Sequence, residues 1–221
     1  MARQIIIGIT CEGATDYRFL GSVIKRTFES FAYDCKGEIE FLDVQEIFIE
    51  KSDFPTYLKN AALTAHENYG VSILGIHLDA DNRSLSTIFE SQIIPAIESL
   101  NQEKNEYCEN ILGIVPVTMT EAWMLADEEV FTAEIGTNMT YSQLSINNHL
   151  ESIRDPKETI QQAIQIAYKN HPKRRRRPKI GELYRPIGNK VRINQLNKLS
   201  SYQYFFQSVK EMLIKLNFLE D

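Results

Sequence analysis

Staples, spanning segments and nucleotide-binding glycine loops are all missing from this sequence. Its three cysteines, Cys11, Cys35 and Cys108, lie far apart and form no C-x-x-C, so neither a disulfide framework nor a zinc site is indicated. No apolar run approaches the roughly 18 residues of a membrane span. The first residues carry no basic segment leading into an apolar stretch and a small-residue cleavage site. These absences predict a soluble, unexported protein in a reducing cytoplasm, with no membrane partner. There is no G-x-x-x-x-G-K-[ST], which excludes ATP hydrolysis by a P-loop in this chain, and no G-x-G-x-x-G of the dinucleotide-binding kind. Internal repeats are lacking too, and no low-complexity stretch exceeds one arginine run.

What is present is a regular alternation. With 221 residues the chain is long enough to bury a core without staples, as one α/β unit with an appendage. "QIIIGIT" (4–10) reads as a buried strand, and a helix follows from Thr15 to Phe31 with Phe19, Val23, Ile24, Phe28 and Phe31 on one face. "EIEFLDVQEI" (38–47), "VSILGIHLDAD" (71–81) and "NILGIVPV" (110–117) supply further strands. Helices are predicted over 54–68, stopped by Gly70, over 84–100, and from Thr120 onward. Strands separated by helices of this length imply crossover connections and a largely parallel, Rossmann-like sheet covered on both faces. Beyond residue 130 the strand signal stops. Residues 155–170 and 200–219 are helical in pattern, and 132–150 reads as a mostly irregular connection. The predicted organisation is an α/β domain over 1–130 and a basic helical region over 131–221 packed on it.

Charge divides along the same line. Residues 151–221 hold 15 Lys and Arg against 7 Asp and Glu, a balance of +8; from totals of 24 and 30, this leaves 9 against 23 before them, a balance of −14. Such asymmetry suits an acidic site beside a polyanion-facing region, or a solvated basic tail.

In open parallel sheets ligands bind beyond the carboxyl ends of the strands. Acids stand at three such ends: Glu12 after the first strand, Asp79 and Asp81 after the third, and Glu121 just past the fourth, with Asp16 four residues after Glu12. Side by side, five carboxylates would repel one another unless a cation compensated them. Oxygen-only donors suit Mg²⁺ or Mn²⁺. Each acid also has a local explanation. Asp16 suits a helix's first turn, Glu121 follows Thr118 at capping-box spacing, and "DADN" is an ordinary polar turn.

"EGATD", "HLDAD", "EAWMLAD" and a later "DPKE", in that order, resemble the TOPRIM domain, the metal-binding module of topoisomerases, primases and OLD-family nucleases. The pattern looks closest to a small standalone bacterial TOPRIM-like family, and the closing "SSYQYFF" is similar as well. The resemblance implies a TOPRIM-like fold and phosphodiester chemistry on two divalent ions, Mg²⁺ or Mn²⁺. By analogy Glu12 and Asp16 would help hold one ion, Asp79 and Asp81 would serve the other, and Glu121 would be a further ligand. Asp16 is one methylene shorter than the glutamate usual there. The implied activity is a metal-dependent nuclease acting on nucleic acid, DNA first, in defence against phage or other foreign DNA. The alternative is a non-catalytic, regulatory subunit beside a separate ATPase. Within "HPKRRRRPK", Lys173, Arg174, Arg175, Arg176 and Arg177 are candidate phosphate contacts, aided by Lys190 and Arg192, with Lys179 as the candidate catalytic cation. An exposed loop, or ion pairs with the acidic domain, would account for the same residues. Trp123, His77 and the aromatics of the last helix read as core.

Overall fold

A computed structural model of the chain describes residues 2–220 apart from 12, 14, 81, 82, 103–105, 171 and 173–175. The first predicted strand is divided at Ile6 into β1 (Arg3–Ile5) and β2 (Ile7–Thr10), and its neighbour into β3 (Ile39–Phe41) and β4 (Gln45–Glu46). With β5 (Ile73–His77) and β6 (Ile111–Ile114), the main sheet has the order β4-β2-β5-β6, while β1 pairs with β3. All pairings are parallel. The expected α/β architecture with a parallel sheet flanked by helices is therefore what the chain adopts.

Side-chain alternation assigns the two faces. Ile5, Ile7, Ile9 and Ile73 join one apolar cluster with α1 (Asp16–Glu29) and the C-terminal helices. Leu74 and Ile76 point the other way, into a cluster with Leu58, Ala61 and Ala65 of α2 (Phe54–Tyr69). Every residue of β2 and β5 is buried, as a sheet covered on both sides demands. Gly70, left-handed at φ 60°, closes α2 as its position predicts.

The next helix is broken into α3 (Leu85–Ile88), a π turn over Phe89–Ile93, and α4 (Ile94–Leu100). Pro95 has no N–H to give the carbonyl one turn back, and Ile94 N–H reaches Phe89 O five residues away. After α5 (Thr120–Met124) come α6 (Glu128–Glu134), α7 (Pro156–Ala167), α8 (Ile180–Lys190), α9 (Ile193–Leu196) and α10 (Ser200–Lys215). Helices α6, α8 and α9 go beyond the sequence expectation. Helix α8 contains Gly181, Pro186 and Gly188, all poor helix formers, and exists because it packs along α1. No described helix is long and apolar enough to cross a membrane.

Parallel register decides where the site forms. Thr10 stands beside Ile76, and His77 beside Ile114, so the segments after β2, β5 and β6 leave the sheet at one edge.

Candidate functional site

Beyond that edge lies a pocket of about 290 Å³ lined by Asp16, Asp79 and Glu121, together with Lys51, Lys157 and Tyr184. Three of the five predicted acids are thus brought together from three separate strand ends. The other two, Glu12 and Asp81, lie outside the described residues, as do Lys173, Arg174 and Arg175. Gly13, which follows Glu12 in the chain, lines the pocket.

Asp16 opens α1 and is only 8 % exposed. Burial pushes its carboxyl above the ordinary range. His77 opposes the shift, the negative charge of Asp79 adds to it, and the Thr120 hydroxyl and Gly13 N–H partly offset it. The carboxylate folds back over Gly13 so closely that a Cβ there would stand 2.4 Å from Asp16 Oδ2. Glycine at 13 is therefore a condition for this placement of Asp16.

Glu121 sits in the first turn of α5, 4 % exposed. The capping explanation does not hold: the N-cap is Met119, with no side-chain cap bond. The Glu121 carboxylate instead accepts a hydrogen bond from the buried Tyr184 hydroxyl of α8, and Lys157 Nζ lies 3.9 Å from its Oε1. Burial raises the Glu121 carboxyl, Tyr184 works against that rise, and Asp16 adds to it. Burial, with Glu121 beside it, likewise pushes the Tyr184 phenol far up, so it stays a donor.

Asp79 follows β5 in a loop, its side chain a quarter exposed. His77 Nε2 comes within 3.3 Å of Asp79 Oδ1, but that nitrogen's hydrogen bond is to Thr120 Oγ1 at 3.0 Å. Asp79 Oδ1 is buried without a hydrogen-bond partner among the described residues. A buried acceptor left open at the mouth of a pocket is an oxygen set for a cation or a donor that enters from outside.

The predicted cations divide. Arg192 already has carboxylate partners: Nε and Nη2 each donate to the fully buried Asp127 at 2.7 Å, and Nη1 reaches Glu129 at 3.0 Å. Lys190 pairs with Glu134 at 2.6 Å and Arg176 with Glu182, carboxylates that both lie beyond residue 130 and not in the α/β domain. Arg177 is exposed. Lys179 is the exposed N-cap of α8, its N–H bonded to Glu182, and does not line the pocket. Lys51 and Lys157 stand there instead. For Lys157 the sequence did hold a signal. In "DPKE" Asp155 caps α7 through Glu158 N–H and Pro156 opens the helix, which leaves Lys157 without a capping role, in a turn where the dipole disfavours cations. Trp123 is fully buried, its indole N–H donating to Ser201 at 2.8 Å, as a core residue should be.

Oxygen donors, a buried acceptor without a hydrogen-bond partner and two carboxyls pushed up by burial match a hard dication in kind. Among the described residues, no group of three His, Cys, Asp or Glu side chains is set for ligation. No family model, no curated protein and no solved structure matches the chain.

Proposed function

We propose that this chain is a divalent-metal-dependent nuclease that hydrolyses phosphodiester bonds in nucleic acid, DNA first. One observation supports this above others: Asp16, Asp79 and Glu121, from strand ends far apart in sequence, share one pocket with two lysines. On this reading Asp16, Asp79 and Glu121, which do not by themselves form a ligand group, would hold Mg²⁺ or Mn²⁺ together with Glu12 and Asp81. A divalent ion held there would supply Lewis acidity and ease the deprotonation of water at neutral pH.

The protein's own groups do the rest. Tyr184 fixes the orientation of Glu121 and keeps its carboxylate turned to the pocket. Thr120 ties His77 in place beside Asp79, which limits where that carboxylate can point. Lys51 and Lys157 offer ammonium groups to the non-bridging oxygens of a phosphate, charges that count for more in a pocket walled by protein than in open water.

Purified protein should convert supercoiled plasmid to nicked or linear forms with Mn²⁺ or Mg²⁺ and not with chelator. Asp79→Ala should slow this roughly a hundredfold, the loss of a few kcal/mol of charge stabilisation, with thermal melting unchanged. Cleavage by a folded Asp79→Ala protein at the wild-type rate overturns the site. A wild-type protein that cuts nothing with either metal overturns the nuclease reading and leaves the regulatory subunit.

A further inference from the structure

Past Lys51 and Asp79, which line both, the acid pocket adjoins a second cavity of about 300 Å³. We propose that this cavity is a subsite for one unpaired nucleotide, so that the protein takes single-stranded or locally opened nucleic acid. The proposal rests on the reading of the neighbouring pocket as a phosphodiesterase site.

Size comes first. About 300 Å³ is at the lower limit for small-ligand sites and admits one nucleotide, not a base pair. The lining has the mixed chemistry a nucleotide requires. Phe54, Ile49 and Leu78 give an apolar wall for the flat faces of a base. Ser52 and Gln92 bring a hydroxyl and an amide, groups that both donate and accept and so suit the edge of a base. Tyr57 is wall, not ligand, because its hydroxyl is engaged by the Thr10 side chain and the Cys11 carbonyl.

Cations mark the phosphate side. Arg83 Nε donates to Ala80 O at 3.2 Å, which anchors the guanidinium and leaves its two terminal nitrogens in no ion pair with a described carboxylate. Lys51, at the junction of the two cavities, makes no ion pair with a described residue either. A strand with its base in this cavity would therefore pass its phosphate over Lys51 toward Asp79. Gln92 owes its place to the π turn over Phe89–Ile93, and such wide turns concentrate at functional sites.

The test is fluorescence anisotropy with a labelled hexathymidylate and the same strand in a duplex, in chelator so that nothing is cut. Wild type should bind the single strand about tenfold more tightly, the worth of one base-stacking contact. Phe54→Ala should abolish that preference and leave duplex binding unchanged. Gln92→Ala, at a half-exposed position, should reduce it severalfold and serves if Phe54→Ala melts too low. Equal affinity for the two probes, binding of neither, or a preference that survives both substitutions in folded protein overturns the subsite. None of these readouts needs cleavage, so a protein that prefers the single strand but cuts nothing counts against the nuclease reading alone.

Discussion

Asp16 illustrates what one side chain reveals alone and what it hides. From sequence it suits two roles, a helix-dipole acid or a metal ligand; it does open α1, and its burial beside Asp79 and Glu121 is what the second reading draws on. The sign of its titration gives a test. With a carboxyl raised in the folded state, Asp16 penalises folding once pH climbs above the unfolded value near 3.8 and through the folded one; below 3.8 it is neutral in both states. Asp16→Asn should therefore raise the melting temperature at neutral pH in chelator, an advantage that disappears below pH 3.8 and reverses when Mn²⁺ is added to the wild type. Differential scanning calorimetry of both proteins across that range reads it directly. A variant less stable than wild type in chelator at pH 7 would mean that Asp16 is a structural hydrogen-bond acceptor and no more.

Elements in this chain depend on partners that lie far away in sequence. Helix α10 has Leu199 at its N-cap, which supplies no side-chain acceptor. Glu151, just before it in space but far back in the chain, accepts the N–H of Ser200 at 2.8 Å and of Ser201 at 2.9 Å, and both hydroxyls besides. Burial alone would raise the Glu151 carboxyl, but the hydrogen bonds from Ser201 and Ser200 outweigh it and hold the group below its usual value. Glu151→Ala should cost about 1–2 kcal/mol, the worth of a helix cap, and lower the melting temperature by roughly 2–8 °C. Because the folded carboxyl is depressed, this contribution is complete above about pH 4.5 and fades as pH falls through the folded value, so wild type and variant should converge in acid. The same dependence on distant partners explains why α8 escaped the periodicity. Its glycines and proline argue locally for a loop, and its buried Leu183, Tyr184 and Ile187 argue for a helix only once α1 is there to receive them.

At the scale of the molecule, the division of charge becomes a set of ties. Lys190, Arg192 and Lys157, all from the basic end, pair with Glu134, Asp127 and Glu121. Apolar packing follows the same seam, since α1, the sheet and the C-terminal helices share one cluster. At Gly188 the helices come so close that a Cβ would lie 2.6 Å from Phe19 O and 2.9 Å from Phe19 Cα, backbone atoms that cannot turn aside. Gly188→Ala should therefore force α8 off α1 and cost about 1–3 kcal/mol. Tyr184 rides on α8, so the substitution should also weaken Mn²⁺ binding, measured by calorimetry. Unchanged stability would show that the two helices part without strain.

The sequence by itself determined the α/β alternation, the parallel sheet, the helices expected over 54–68 and 155–170, and the acids at the strand ends, because period and hydrophobicity act over a few residues at a time. Tertiary structure alone decided that Lys157 and Lys51, not Lys179, line the acid pocket, that Arg192 pairs with Asp127, and that Glu121 answers to Tyr184. Those are pairings across 63 or more positions in the cases of Tyr184 and Arg192, fixed by helix packing and by the cost of leaving a buried charge without a partner. No local pattern in the chain encodes that cost.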